Sequence, residues 1–239
     1  MPGIADMHCH ILPGLDDGCK SMKETLKVLQ EAEKQNIRTM IVTPHYHPGR
    51  YEVSPLQIQE NLHMVKRRCA ENNIHISLYP GQECYYFSEL VKRLDSGKAL
   101  TLAGSRYVLV EFEPDCLFRV LLTGLQDLKE NGYIPILAHF ERYSCLRNAS
   151  NLMNLKERGY LLQMTFDVLR KKNSIFYKNP WRTLVEQGVV DYLGSDCHGT
   201  QFRPLHAQEA CKWMEKKLTL ECRDRIFNDN IEKIIKGTD

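Results

Sequence analysis

Residues 106–113 read RYVLVEFE. Tyr107 to Val110 form a short apolar run rich in valine, the composition of a strand covered on both faces. The run then meets Glu111 and Glu113. A carboxylate at the end of such a strand is costly unless it is paired or bound to a metal. The two glutamates point the same way along a strand, so spacing alone does not choose between them. Six other apolar runs share this plan: IADMH (4–8), IRTMIVT (37–43), ISLYPG (76–81), YIPILAH (133–139), YLLQM (160–164) and VVDYLGS (189–195). Helical patterns separate them. The first, 21–36, opens with Ser21 and Glu24 at capping-box spacing and repeats Met22, Leu26, Leu29 and Ala32 at helical intervals. Others fall at 55–73, 88–96, 119–131, 146–158, 181–188, 204–217 and 219–236. Seven βα units in series imply a parallel sheet. An open doubly wound sheet satisfies that alternation, but polar strand ends that must converge favour closure, because barrel strands deliver their C-terminal residues to one mouth. The expected fold is α/β, a single (β/α)7 TIM-like barrel forming one domain over residues 1–239.

The 239 residues carry 32 Lys and Arg against 30 Asp and Glu, interspersed, for a formal net charge of +2. No basic block suggests a nucleic-acid partner. No segment approaches the roughly 20 apolar residues of a membrane span, and MPGIADMHCH lacks the features of a signal peptide, so direct membrane insertion is not expected. Nine cysteines, an odd number without a CxxC pair, fit neither a disulfide framework nor a zinc ribbon and suit a reducing cytoplasm.

Six of the nine histidines sit at or just beyond predicted strand ends: His8, His10, His45, His47, His139 and His198. In DMHCH, Asp6, His8 and His10 alternate, and two imidazoles on one face can chelate one ion. Asp6 reads as a further ligand or as an acceptor for an imidazole N–H. Asp16 and Asp17 follow in LPGLDDG, where one of them is expected to do ordinary turn work. TPHYH supplies His45, GQE supplies Glu83, and AHFERY supplies His139, Glu141 and Arg142. GSDCH adds the alternating pair Asp196 and His198. Imidazoles with carboxylates suit Mn²⁺, Fe or Zn²⁺, and so many ligands imply more than one ion.

Taken in order, DMHCH, DDG, TPH, GQE, EFE, AHFERY and GSDCH resemble the PHP (polymerase and histidinol phosphatase) superfamily. Within it the chain is similar to the manganese-dependent tyrosine-protein phosphatases of bacterial capsule and exopolysaccharide operons. The resemblance runs from residue 6 to about 206. It implies a distorted barrel with three divalent ions, most favourably Mn²⁺, held by His8, His10, Asp17, His45, Glu83, Glu111, His139, Asp196 and His198, with Glu111 bridging. It implies phosphate binding by Arg142 and Arg203, and a phosphotyrosine protein substrate, a membrane-associated tyrosine autokinase. Two departures from the family pattern, Phe140 for proline and Tyr46 for histidine, are expected to alter the pocket wall. Tyr46, His47, Arg50 and Tyr51 lie in a turn-rich stretch that could form a lid, with Tyr51 against the substrate.

Such a centre would activate water to hydroxide, and the metals with Arg142 and Arg203 would offset charge on the transferring phosphoryl group. Asp196 or His198 could assist the leaving group if not committed to metal. One rival reading is a thiolate mechanism, because Cys197 and Arg203 have the C-x5-R spacing of cysteine-dependent phosphatases. "HGTQF" has one glycine, however, and nearby carboxylates raise a thiol pKa. Another keeps the metals but takes a small phosphoester such as histidinol phosphate. A third is a non-catalytic, metal-stabilised regulator.

Overall fold

Where the predicted apolar runs occur, strands form, and they alternate with helices. The structure, a computed structural model, describes residues 3–170 and 177–238. In chain order the elements begin β1 (Ile4–Cys9), α1 (Met22–Lys34), β2 (Ile37–Val42), β3 (His45–His47), β4 (Tyr51–Glu52), α2 (Pro55–Glu71), β5 (Ser77–Pro80) and β6 (Glu83–Tyr85). They continue with α3 (Leu90–Asp95), β7 (Tyr107–Glu111), α4 (Phe118–Glu130), β8 (Ile134–Leu137), α5 (Ala149–Glu157), β9 (Leu161–Thr165), α6 (Pro180–Glu186), β10 (Tyr192–Gly194) and α7 (Gln208–Lys217).

The strands form two sheets, of order β1-β2-β5 and β10-β9-β8-β7-β6-β3-β4. Every pairing is parallel except β3 with β4. The break between the sheets falls at the ends of two of the expected strands, and a further short strand follows each. The run 37–43 stops at Val42 before Pro44, which has no N–H for a ladder. The run 76–81 stops at Pro80, and after a gap of two residues both segments resume pairing as β3 and β6. At the other side, Asp196 N–H donates to the His8 carbonyl and His10 N–H to the Cys197 carbonyl, both at 2.8 Å. Cys9 and Cys197 form a parallel bridge there.

Helix α1 buries Thr25, Val28, Leu29 and Ala32. Only half of its expected capping box forms. Ser21 accepts the Glu24 N–H, but the Glu24 carboxylate turns to the Lys20 and Thr200 amides. The complete box stands at α2, between Ser54 and Gln57. The expected helix 219–236 is broken into α8 (Leu220–Asp224), a π-helical turn (Arg225–Asp229) and α9 (Asn230–Lys236). The broken path lets Ile231 and Ile234 join Ala5, Met7, Leu109, Ile136 and Tyr192 in one apolar cluster. Burying an aliphatic side chain of this size contributes roughly 1.5–3 kcal/mol, enough to offset an irregular turn.

Two glycines owe their place to close approach. A Cβ on Gly18 would stand 2.0 Å from the His10 carbonyl oxygen, and one on Gly194 would stand 2.6 Å from the His8 Cβ. The glycines of "DDG" and "GSD" thus let two segments close on the histidines of β1.

Candidate metal centre

Burial and backbone geometry first decide where the histidines point. His8 and His10 are fully buried, at the end of β1. Each uses its Nδ1 on an acceptor. His8 Nδ1 is 3.1 Å from Gln163 Oε1, and His10 Nδ1 is 2.7 Å from Asp16 Oδ2. His198 Nδ1 is 2.8 Å from the Asp196 carbonyl oxygen. None of these acceptors can donate, so in each neutral ring the proton belongs on Nδ1 and the lone pair on Nε2. That is how outer groups orient imidazoles toward a metal.

The Nε2 atoms meet carboxylates. His8 Nε2 and His10 Nε2 are 3.1 Å apart. Glu83 Oε2 is 3.1 Å from the first and 3.2 Å from the second. Asp196 Oδ1 is 3.4 and 3.3 Å from the same two atoms. Atoms held 2.0–2.2 Å from one ion stand about 3–3.5 Å apart, so all five separations fit a shared ion. Glu83 Oε2 is buried and makes no hydrogen bond, and so is Asp17 Oδ1. A buried carboxylate oxygen without a donor is expensive, and a cation would satisfy both atoms.

Three overlapping groups of ligand atoms result: His8, His10, Glu83 and Asp196; His10, Asp17, His45 and His198; and His45, Glu83 and Glu111. His139 adjoins the third, its Nε2 lying 2.7 Å from Glu83 Oε1 and 3.6 Å from Glu111 Oε2. The nine residues named from the sequence therefore come together. Glu83 belongs to two groups and Glu111 to one. Glu83 thus faces the most imidazoles, while the two oxygens of Glu111 face His45 at 3.1 Å and His139 at 3.6 Å.

The local field follows from this crowding. Burial alone would raise the carboxyl of Glu83, but His8, His45 and His139 hold it well below its usual range. Asp196 is likewise opposed by burial and held far down by His8, His10 and Arg142. Burial would lower His139, yet Glu83 and Glu111 lift it to about 10. His198 moves the other way, lowered by burial and by the charge of His10.

Several ambiguities resolve. Asp17 faces His45 and His198, whereas Asp16 does the turn work: it accepts the Gly18 and His45 amides and braces His10. Glu111 reaches the cluster, while Glu113 accepts from the Tyr85 hydroxyl at 3.2 Å. Asp6 meets neither expectation. It accepts the backbone amides of His8 and Ser195 and touches no imidazole hydrogen, because it lies deeper in the strand than His8. Glu141 turns to Thr165, accepting its amide and hydroxyl.

Strand alternation does not explain Asp196 and His198, since β10 ends at Gly194. Asp196 instead takes a left-handed backbone with φ of 50°, and His139 and Arg203 share that region at 30° and 43°. Such strain at non-glycine residues costs of order 1–3 kcal/mol each and here aims three site residues. Arg142, carried on a 3-10 turn (Phe140–Arg142), contacts Asp196 Oδ2 directly, and Arg203 Nη1 lies 3.4 Å from the same oxygen.

Both arginines line a cavity of about 290 Å³ with Asp17, His45, Glu83 and Glu111. Its far wall carries His47, Arg50, Tyr51 and Tyr85. The turn-rich stretch 46–51 is a β-hairpin, pairing Tyr46 with Glu52 and His47 with Tyr51. Phe140 and Tyr46 are not on the cavity wall. Phe140 is buried against Trp181 and Tyr46 packs on Phe87, which corrects the expectation that they reshape the pocket. Cys197 is also outside it: fully buried, it donates to the Gly199 carbonyl, and burial pushes its thiol up to about 12.

Gln163 escaped the sequence reading. Its Oε1 holds both the His8 ring and the His139 amide, and its Nε2 is fixed by the Met164 carbonyl. The available signal was a lone amide inside the apolar run YLLQM.

The chain is similar to several known proteins. The chain is 33% identical over 235 residues to the tyrosine-protein phosphatase YwqE of Bacillus subtilis, covering 98% of this chain and 92% of that one. It is 32% identical over 238 residues to the tyrosine-protein phosphatase CpsB of Streptococcus pneumoniae, covering 97% and 98%. A solved structure from work on YwqE and CpsB, described as unique metal-dependent tyrosine phosphatases, superposes with a TM-score of 0.88 at 32% identity over 99% of this chain and 96% of that one. Residues 4–236 match the family described as "Capsular polysaccharide synthesis, CpsB/CapC", and the chain belongs to the CpsB/CapC family.

Proposed function

We propose that the chain is a metal-dependent protein-tyrosine phosphatase that hydrolyses phosphotyrosine on a protein. The observation that carries this reading is the convergence of oriented imidazole Nε2 atoms and unsatisfied carboxylate oxygens beside two arginines in one cavity. The preferred ligands are His8, His10, Asp17, His45, Glu83, Glu111, His139, Asp196 and His198, holding three divalent ions, Mn²⁺ before Fe or Zn²⁺. The YwqE and CpsB names support the substrate class, and the capsule family supports a membrane-associated tyrosine kinase as the phosphoprotein. Nine cysteines without a disulfide suit a cytoplasmic site of action. Among the described residues no helix is long and apolar enough to cross a membrane.

We also infer that the two sheets close into one distorted (β/α)7 barrel. Counting β2 with β3 and β5 with β6 as bent single strands, and setting aside the antiparallel hairpin arm β4, leaves seven, and the amide contacts between β1 and the 196–197 segment supply the seam.

Bound ions would supply an activated water and neutralise phosphoryl charge. The residues do the rest. Asp196 places Arg142 and Arg203 side by side, where charge-assisted bonds can grip the equatorial phosphoryl oxygens. Tyrosine leaves with a pKa of about 10, so the phenolate needs little help from a general acid. Tyr51, stacked on His45, stands where the substrate's peptide would pass.

The thiolate alternative predicts the opposite roles for neighbouring residues. Cys197→Ser should keep more than about half of the wild-type kcat/KM, with only a modest stability cost. Asp196→Ala and His198→Ala should lose at least about 100-fold at equal folded fraction. A dead Cys197→Ser protein that still holds its metals would favour the thiolate.

A further inference from the structure

We infer that His47 and Tyr85 form a stacked platform that selects an aryl phosphate over an alkyl phosphate; this rests on the phosphatase reading above. Strands β3 and β6 pair with His45 opposite Glu83 and Tyr46 opposite Cys84. Side chains two residues apart share a face, so the next pair on the face that carries His45 and Glu83 is His47 and Tyr85. That step moves roughly 6.5–7 Å along the strands, outward from the ligand layer. In an aryl ester the ring begins one bond beyond the bridging oxygen, so its body lies at this height when the phosphoryl group sits at the ligands. A short alkyl ester has no group to place there.

The pair is built to hold still. The two rings stack with centroids 4.1 Å apart and planes within 11°. Tyr85 is tied by its hydroxyl to Glu113. The backbone of His47 is held by the hairpin, through its pairing with Tyr51 and the Arg50 N–H to its carbonyl. Both rings are half-buried and line the same cavity as Arg142 and Arg203. Neither belongs to the candidate ligand groups, so metal ligation does not account for them. A rigid aromatic wall facing a phosphate grip gives an incoming ring a partner at little entropic cost.

The test is binding of phenylphosphonate and methylphosphonate to the manganese-loaded protein, measured by calorimetry for wild type and variants. Wild type should prefer the phenyl compound by about tenfold. Tyr85→Leu and His47→Ala should each reduce that preference to threefold or less, with the loss falling on phenylphosphonate. Tyr85→Phe should retain it, because the ring remains. An unchanged preference in both Tyr85→Leu and His47→Ala overturns the platform, as does an equal loss for the two ligands. Failure of the phosphatase reading would show separately, as wild-type protein that hydrolyses no aryl phosphate.

Discussion

Glu83→Gln is expected to lower kcat/KM on aryl phosphates by more than about 100-fold and to reduce the metal bound per chain. Changing groups that merely orient metal ligands costs about 10–100-fold, and Glu83 stands inside the ligand layer. Its Oε2 lies within 3.1–3.2 Å of nitrogens on His8, His10 and His45, and its Oε1 within 2.7 Å of His139. Glutamine keeps the shape and removes the charge that these imidazoles surround. It also sets an N–H₂ group where a cation would sit. The fold should survive, since glutamine is isosteric with glutamate and leaves no void. Metal analysis, turnover and circular dichroism on one preparation check this. Wild-type metal content with wild-type turnover would remove Glu83 from the centre.

Removal of metal should lower the melting temperature by roughly 5–10 °C. An ion present at 100 times its Kd adds about 2.7 kcal/mol to the folded state. For a chain of this size each kcal/mol shifts Tm by about 2–4 °C. The origin of the effect is specific: without cations, Glu83, Glu111, Asp17 and Asp196 crowd one cavity, relieved by the surrounding imidazoles and, at Asp196, by Arg142 and Arg203. Histidine must be neutral to bind metal, and the carboxylates lift His139 to about 10, so the stabilisation by Mn²⁺ should still be growing as pH rises from about 7 toward 10. Thermal scans with chelator and with added Mn²⁺, at several pH values, give the answer. Coincident curves with and without metal would mean that the cluster holds no ion of structural weight.

Much of this site could be read from the chain because metal chemistry concentrates unusual residues at strand ends. Apolar runs ending in His, Asp or Glu located the strands and the ligands together. What stayed hidden depended on backbone geometry that composition does not encode. The break at Pro44 ends one expected strand and is followed by a further short strand, β3, in the other sheet. Asp196 reaches the cluster by a left-handed turn, so strand alternation is not what places it there. Asp6 alternates with His8 and His10 but lies too deep to touch an imidazole. Gln163 carries no charge and no motif, and its role appears only when β9 is set beside β1 and β8. The sharing of carboxylates is likewise three-dimensional: register places Glu83, not Glu111, among the most imidazoles.

The central claim is that phosphoester hydrolysis here depends on the metal cluster. Turnover of a phosphotyrosine peptide by chelator-stripped protein, before and after graded addition of Mn²⁺ or Mg²⁺, tests it most directly. An imidazole-rich ligand set disfavours Mg²⁺, which prefers oxygen and water. The account predicts no turnover in stripped protein and recovery with Mn²⁺ well beyond that with Mg²⁺. Full turnover by metal-free protein would contradict it.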